Sequence, residues 1–182
     1  QVATPPGRYI GGEESAIVDW LGGGPGLPSF RPNKGVPLRV RRRPTLVHNA
    51  ETLAHVALIA RHGPEWFRLA GLPDAPGTCL VTVSGAVAHP GVYEIEMGTA
   101  VSSIVELAGH SEPLGAILVG GYGGAWLPPG THHTPYAPAA LRALGASVGP
   151  GILVALPGGS CVIAETARVV SYLAGESAGQ CG

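Results

Sequence analysis

The clearest pattern of apolar and polar positions lies between residues 79 and 88. Successive side chains alternate there between two sets, as they do in a strand that turns one face to a core. The two sets are Cys79, Val81 and Val83 on one face and Leu80, Thr82 and Ser84 on the other. The tripeptide His89-Pro90-Gly91 predicts a turn, and residues 92–95 predict a strand that returns beside the first. The pattern therefore indicates an antiparallel hairpin.

A helical pattern follows this hairpin. Apolar residues recur at the spacing of one helix face, at Val101, Ile104, Val105 and Ala108. Thr99 is the predicted N-cap of this helix, and Gly109 is predicted to end it.

Two more apolar runs predict strands at residues 117–119 and 152–156, with a short helix over residues 139–144 between them. The order strand–strand–helix–strand–strand predicts an α+β fold of the β-grasp (ubiquitin-like) type. A helix on one face of the sheet allows about 80 residues to close a core.

The first part of the chain shows the helical pattern twice. Gly12 predicts a turn that opens a helix ending at Leu21, with Glu13 and Glu14 in its first turn, where the helix dipole favours carboxylates. Residues 22–44 lack periodicity and predict a long loop. Asn49 is the predicted N-cap of a second helix. The apolar face of that helix would carry Leu53, Val56, Ala57 and Ala60.

Composition places the chain among folded proteins and excludes several functions. Apolar residues make up 45% of the chain and charged residues 13%, which is enough to bury a core. The net charge of −1 gives no basis for attraction to nucleic acid. The run of arginines at 39, 41, 42 and 43 favours a solvated loop over a phosphate or partner contact. No apolar stretch is long enough for a membrane helix.

Other candidate motifs are weak. The pair His132-His133 has no nearby carboxylate or thiol, whereas zinc needs three or four convergent ligands. Residues 120–124 lack the third glycine of a nucleotide-binding loop. Three widely spaced cysteines do not indicate a disulfide framework, and Cys79 is expected to be a buried small hydrophobe.

Four segments carry a resemblance, in order, to one protein family. They are Tyr9-Ile10-Gly11-Gly12-Glu13-Glu14-Ser15-Ala16, Pro44-Thr45-Leu46-Val47-His48-Asn49-Ala50-Glu51-Thr52-Leu53, Val83-Ser84-Gly85-Ala86-Val87 with His89-Pro90-Gly91-Val92-Tyr93-Glu94, and Glu176-Ser177-Ala178-Gly179-Gln180-Cys181. Together they resemble the flavin- and NADH-binding iron–sulfur subunit of complex I-type NADH dehydrogenases and the related diaphorases. Gly11, His48 and Ala178 stand where that family usually has Cys, Asn and Cys.

The resemblance implies a domain order. Residues 1–71 would be the C-terminal part of a flavin/NADH-binding α/β domain and 72–78 a linker. Residues 79–158 would be a soluble-ligand-binding β-grasp domain, and 159–182 the start of a helical iron–sulfur-binding domain. Both ends of the chain are expected to be cuts in a longer polypeptide, because the chain begins with Gln1 in the middle of a glycine-containing motif, without an initiator Met, and Gly182 ends inside the last motif.

The resemblance also implies site residues and cofactors. The implied flavin- and dinucleotide-binding residues are Tyr9, Gly12, Glu13, Glu14, His48, Asn49 and Thr52, and the implied metal ligand is Cys181. The cofactors would be FMN and a 4Fe-4S cluster in the intact parent. Neither is expected in this segment alone, because a single thiolate cannot hold a cluster and the upstream glycine loop of the family is not in this chain.

Two functions stay open on the sequence. In the first, the parent is a cytoplasmic NADH dehydrogenase-like enzyme, free or peripheral to a membrane complex, that passes electrons from NADH through FMN to an iron–sulfur cluster. Its partners would be ferredoxin-like proteins or complex subunits, without nucleic acid and without membrane insertion. In the second, the β-grasp domain is a non-catalytic binding or scaffolding module with degenerate redox sites.

Overall fold

The computed structural model describes residues 2–29, 35–110 and 113–180. The chain divides into two compact units, one formed by residues 1–49 with 165–182 and the other by residues 50–164. The predicted α+β fold is confirmed, because a mixed sheet and several helices make up the structure.

The first unit contains a short helix and a tight hairpin. A 3-10 turn over Tyr9–Gly12 leads into α1 (Glu14–Leu21), and β1 (Arg39–Val40) pairs with β2 (Arg43–Pro44). Only two residues join these strands, Arg41 and Arg42, with φ angles of 49° and 70°. Both arginines therefore occupy the left-handed region, which a two-residue hairpin turn of this kind requires. The hairpin lies inside the segment that the sequence predicted as a long loop.

The second unit begins with two helices in tandem. Helix α2 (Ala50–His62) starts directly after Asn49, and α3 (Pro64–Phe67) follows Gly63, whose φ of 88° separates the two helices. Two short strands come next, β3 (Gly71–Leu72) paired with β4 (Ala75–Pro76). The segment interpreted as a linker thus contains a hairpin strand, and Ala75 on it is buried.

A five-stranded sheet forms the body of the second unit. Its strands and helices are β5 (Thr78–Gly85), β6 (Gly91–Glu96), α4 (Val101–Leu107), β7 (Leu114–Val119), β8 (Ala125–Leu127), α5 (Pro138–Ala143) and β9 (Ile152–Pro157). The strand order is β6-β5-β9-β7-β8, with β5 and β9 parallel and the other pairs antiparallel. The first and last strands therefore lie side by side at the centre, which is the β-grasp topology.

The core of this unit lies between the sheet and α4. Its fully buried side chains alternate on the strands and recur at helical spacing on α4, as the apolar pattern predicted. They include Val81, Val83, Val101, Ile104, Val105, Ile117, Val119, Leu127, Tyr136, Leu141 and Leu153. The Tyr136 hydroxyl donates a hydrogen bond to the Val148 carbonyl at 2.9 Å, so its polar end is satisfied within the core.

Two local predictions for this unit were wrong or incomplete. Ala100, and not Thr99, is the N-cap of α4, because the Thr99 hydroxyl instead donates to the Glu96 carbonyl at 2.8 Å and closes the preceding turn. Strand β8 was missed, since three residues between glycines and prolines carry no readable alternation.

The last helix, α6 (Val162–Gly175), begins at the end of the second unit and lies mostly in the first. Within residues 2–29, 35–110 and 113–180, none of the helices combines the length and apolarity needed to cross a bilayer.

Candidate functional site

The predicted dinucleotide-binding turn joins the 3-10 segment to α1. Glu13 has extended φ and ψ angles of −74° and 137° and precedes the helix as its N-cap. Its Oε2 accepts hydrogen bonds from the backbone N–H groups of Ser15 at 2.8 Å and Ala16 at 2.9 Å, and from the Ser15 hydroxyl. Glu13 therefore stabilises the helix start, whereas the sequence placed it in the first turn beside Glu14. Glu14 begins the helix and is exposed.

Ser15 stabilises this turn through its buried side chain, a role that the sequence analysis did not identify. Its side chain is buried, and its Oγ accepts the backbone N–H of Ser29 at 2.9 Å. The capping carboxylate of Glu13, the Ser15 hydroxyl and the returning chain at Ser29 thus form one hydrogen-bonded series. A series of this kind holds the surface of the turn in a fixed conformation.

Gly12 lies exposed at the tip of the turn. A Cβ at this position would meet no heavy atom within 4 Å, and its φ is outside the left-handed region. Nothing inside the described structure therefore requires glycine at this position. At Gly11, by contrast, a Cβ would lie 3.0 Å from the Pro6 carbonyl oxygen.

Tyr9 is connected to the end of the chain within the same unit. Its backbone N–H donates to Glu176 Oε2 at 2.9 Å, and its ring meets the Tyr172 ring edge-on with centroids 6.4 Å apart. A small polar hollow of about 200 Å³ lies beside this contact. Its lining residues are Arg8, Ile10, Leu27, Gly175, Glu176, Ser177 and Ala178. Glu176 was not among the predicted site residues, because its distance from Tyr9 in sequence hides the contact.

The other predicted cofactor-binding residues lie in a second segment, and the structure does not place them in the turn. His48 and Asn49 are exposed in an extended stretch, and Thr52 is exposed in the first turn of α2. Thr45, in the same motif, is structural: its Oγ1 accepts the Val40 N–H at 3.0 Å and donates to the Arg43 carbonyl at 3.0 Å.

Glu51 has a structural contact that the sequence did not reveal. Its Oε1 accepts the backbone N–H of Leu80 at 2.6 Å, which connects α2 to strand β5. Burial, and secondly the Glu51 carboxylate, raise the pKa of Cys79 to about 11. Burial, then the charges of Cys79 and Glu51, also raise the pKa of Tyr136. Cys79 packs against the core but is only partly buried, whereas the sequence predicted a buried small hydrophobe.

The described residues do not assemble a metal centre. Within the parts of the chain that the structure describes, His, Cys, Asp and Glu side chains form no group of three or more that could hold a metal ion. The predicted ligand Cys181 lies outside the described residues. His132, one of the two adjacent histidines, is buried with its Nε2 3.0 Å from the Leu127 carbonyl oxygen.

Comparison with protein families and curated sequences supports the resemblance. Residues 80–118 match the SLBB domain family. The chain is 33% identical over 178 residues to the F subunit of the NADH-quinone oxidoreductase of Streptomyces coelicolor, covering 96% of this chain and 40% of that protein. It is 39% identical over 103 residues to the alpha subunit of the NAD-reducing hydrogenase HoxS of Cupriavidus necator, covering 57% of this chain and 17% of that protein.

A solved structure gives the same result. The chain superposes on a crystal structure of NAD⁺-reducing [NiFe]-hydrogenase in the H₂-reduced state with a TM-score of 0.82 and 35% identity. The match covers 97% of this chain and 30% of that chain. The chain thus spans less than half the length of the relatives that it matches over nearly all of its own length.

Proposed function

We propose, from the similarity of nearly the whole chain to one subunit of the NADH-quinone oxidoreductases, that this segment belongs to an NADH-oxidising flavoprotein. The complete gene product would bind NADH and FMN and deliver electrons to a 4Fe-4S cluster and then to ferredoxin-like proteins or complex subunits in the cytoplasm. A bound flavin supplies hydride acceptance, and the protein supplies binding and orientation.

The observation that carries the flavin side of this proposal is the open surface at Gly12. Nothing in the described part of the chain needs glycine there, whereas a planar ligand that approaches the backbone does. The turn is held rigid by Glu13 and Ser15, and Glu14 is exposed beside it. In this proposal Tyr9, Gly12 and Glu14 form one wall of the flavin and nicotinamide site. His48, Asn49 and Thr52 would contact the flavin from a second segment.

The residues of this segment do not supply the set of thiolates that an iron–sulfur cluster needs. A cluster is held by several thiolates, usually four. Ala178 has a methyl group at one of the motif's ligand positions, which leaves Cys181 as the predicted ligand of the motif. We therefore derive no step through a cluster from these residues. Ala178 also favours a second candidate function, in which the β-grasp unit is a binding or scaffolding module without redox chemistry.

The test uses the complete gene product with Gly12→Val, and with Gly130→Val as a matched control. A Cβ added at Gly130 would also meet no heavy atom of the described residues within 4 Å, and this glycine lies in the other unit. We expect both variants to fold like the wild type, and only Gly12→Val to lose flavin absorbance and NADH oxidation.

Glu14→Gln gives a second, finer measurement. We expect dinucleotide affinity to fall about tenfold or more, the range for a lost charge-assisted hydrogen bond of ~1.5–3 kcal/mol. Stability should change by only ~0.3–1 kcal/mol, as for a helix-start carboxylate. A wild-type protein without flavin bands and without NADH binding would refute the redox proposal and favour the scaffolding module.

A further inference from the structure

The second unit contains an apolar cleft that the redox proposal does not use. The cleft has a volume of about 310 Å³, at the small end of the range for ligand sites. It is lined by residues of α2, α3, β5 and β6 and of the turns between them: His55, Leu58, Trp66, Phe67, Leu69, Ala70, Gly77, Thr78 and Glu94. All of these residues belong to one compact unit.

Aromatic rings shape the cleft. The rings of His55 and Phe67 meet at an interplanar angle of 64° with centroids 5.4 Å apart, and Trp66 is 40% exposed. Phe67 lies directly over Gly77, where a Cβ would come within 2.2 Å of the ring, and Gly77 has a φ of 91°. Gly77 is therefore required both by its backbone conformation and by the ring, so the Phe67 wall is fixed by close packing.

The charge of the cleft has one sign. Glu94 is the one carboxylate among the lining residues, and none of them is Lys or Arg. The Thr78 hydroxyl donates to Glu94 Oε1 at 2.7 Å and orients the carboxylate at the rim. The nearby cation Arg68 is paired with Glu65 at 3.3 Å. An aromatic cavity with an oriented carboxylate complements a cation that carries an apolar body.

We propose that this cleft binds a small organic cation, in which an ammonium group lies at Glu94 and an aromatic or aliphatic body lies against Phe67 and Trp66. None of the residues that line this cleft is among those assigned to flavin or dinucleotide binding.

The test is a titration of the chain with 2-phenylethylammonium, followed by amide and indole NMR shifts. The neutral probe 2-phenylethanol has the same shape without charge, and 3-phenylpropanoate carries the opposite charge. We expect saturable shifts confined to cleft residues, with the ammonium binding about fivefold more tightly than the alcohol and the carboxylate more weakly than either. This ratio is the size expected for an ion pair at an exposed carboxylate.

Two variants complete the test. Glu94→Gln should weaken ammonium binding about fivefold, to the level of the alcohol, and leave alcohol binding unchanged. Glu106→Gln removes the same charge from an exposed position of α4, outside the cleft, and should change neither. Equal binding of ammonium and alcohol to the wild type would overturn the proposal, as would an unchanged preference in Glu94→Gln. Concentration-dependent self-association that broadens the same signals would assign the cleft to a second copy of the chain and would also overturn it.

Discussion

The hydrogen bond between Glu51 and Leu80 should be a principal stabilising contact between α2 and the sheet. The N–H groups of Leu80 and Thr82 point to the same side of β5, because they are two residues apart. Thr82 donates to the Gly151 carbonyl at 2.7 Å, and the register of β9 begins opposite Thr82. Glu51 therefore accepts the N–H of β5 that lies next to the β9 register and that β9 does not reach, at 2.6 Å.

We expect Glu51→Ala to lower the free energy of unfolding by about 1.5 kcal/mol. This is the low end for a hydrogen bond to a charged acceptor, because Leu80 is 46% exposed. For a unit of this size the melting temperature should fall by about 5 °C. Glu51→Gln keeps an acceptor without the charge and should cost about half as much.

The assay combines thermal melting with hydrogen exchange at the Leu80 amide. The control is Glu65→Ala, which removes a carboxylate that is 84% exposed in a surface pair with Arg68 and should cost less than about 0.5 kcal/mol. Equal losses in the two alanine variants, together with unchanged exchange at Leu80, would refute the assigned role of Glu51.

Three further predictions concern single residues. Arg42→Gly should raise the free energy of unfolding by about 1 kcal/mol in denaturant titrations, because glycine adopts the observed φ of 70° without the steric strain of a side chain. A loss of stability would contradict this. Since the folded pKa of Cys79, about 11, exceeds its ordinary value of 9.0, its stabilising contribution is complete below pH 9 and is lost as the pH rises from 9 to 11. Cys79→Ala should abolish this loss of unfolding free energy at alkaline pH, which is about 1 kcal/mol after a discount for partial exposure. Cys161→Ala, at an exposed position, should leave the loss unchanged, and thermal melts at pH 8 and 10.5 test both expectations. Glu13→Ala should lower the stability of α1 by about 1 kcal/mol because the helix cap is lost, and Glu14→Ala by about 0.3 kcal/mol. Faster hydrogen exchange of the first-turn amides measures both losses, and equal losses would contradict the assignment of Glu13 as the cap.

The sequence predicted the sheet better than the short elements around it. Alternation along residues 79–84 marked β5 because one face of the strand packs on a core, and burial of that kind leaves a period of two. Two-residue strands such as β1 and β3 contain no fully buried residue and are too short to show such a period.

The candidate site was predictable only in part, for a different reason. The motif placed Tyr9 and Glu14 in one exposed turn, yet the partner of Tyr9 is Glu176 and the partner of Glu51 is Leu80. Contacts between positions so far apart depend on the path of the chain, which local pattern does not encode. The capping role of Glu13 follows from a one-residue shift of the helix start, and helix boundaries are the least determined feature of a sequence.

The central pair of strands also determines the order in which the sheet can form. β5 pairs with β6 almost at once along the chain, but its parallel partner β9 begins roughly 70 positions later, at Ile152 opposite Thr82. Closing so long a loop costs entropy before the contacts form, which slows folding. During synthesis, the backbone N–H and C=O groups on one edge of β5 would remain unpaired, and open to pairing with other chains, until β9 emerges. A chain that ended at residue 118, the limit of the SLBB match, would keep that exposed edge permanently and would aggregate rather than fold.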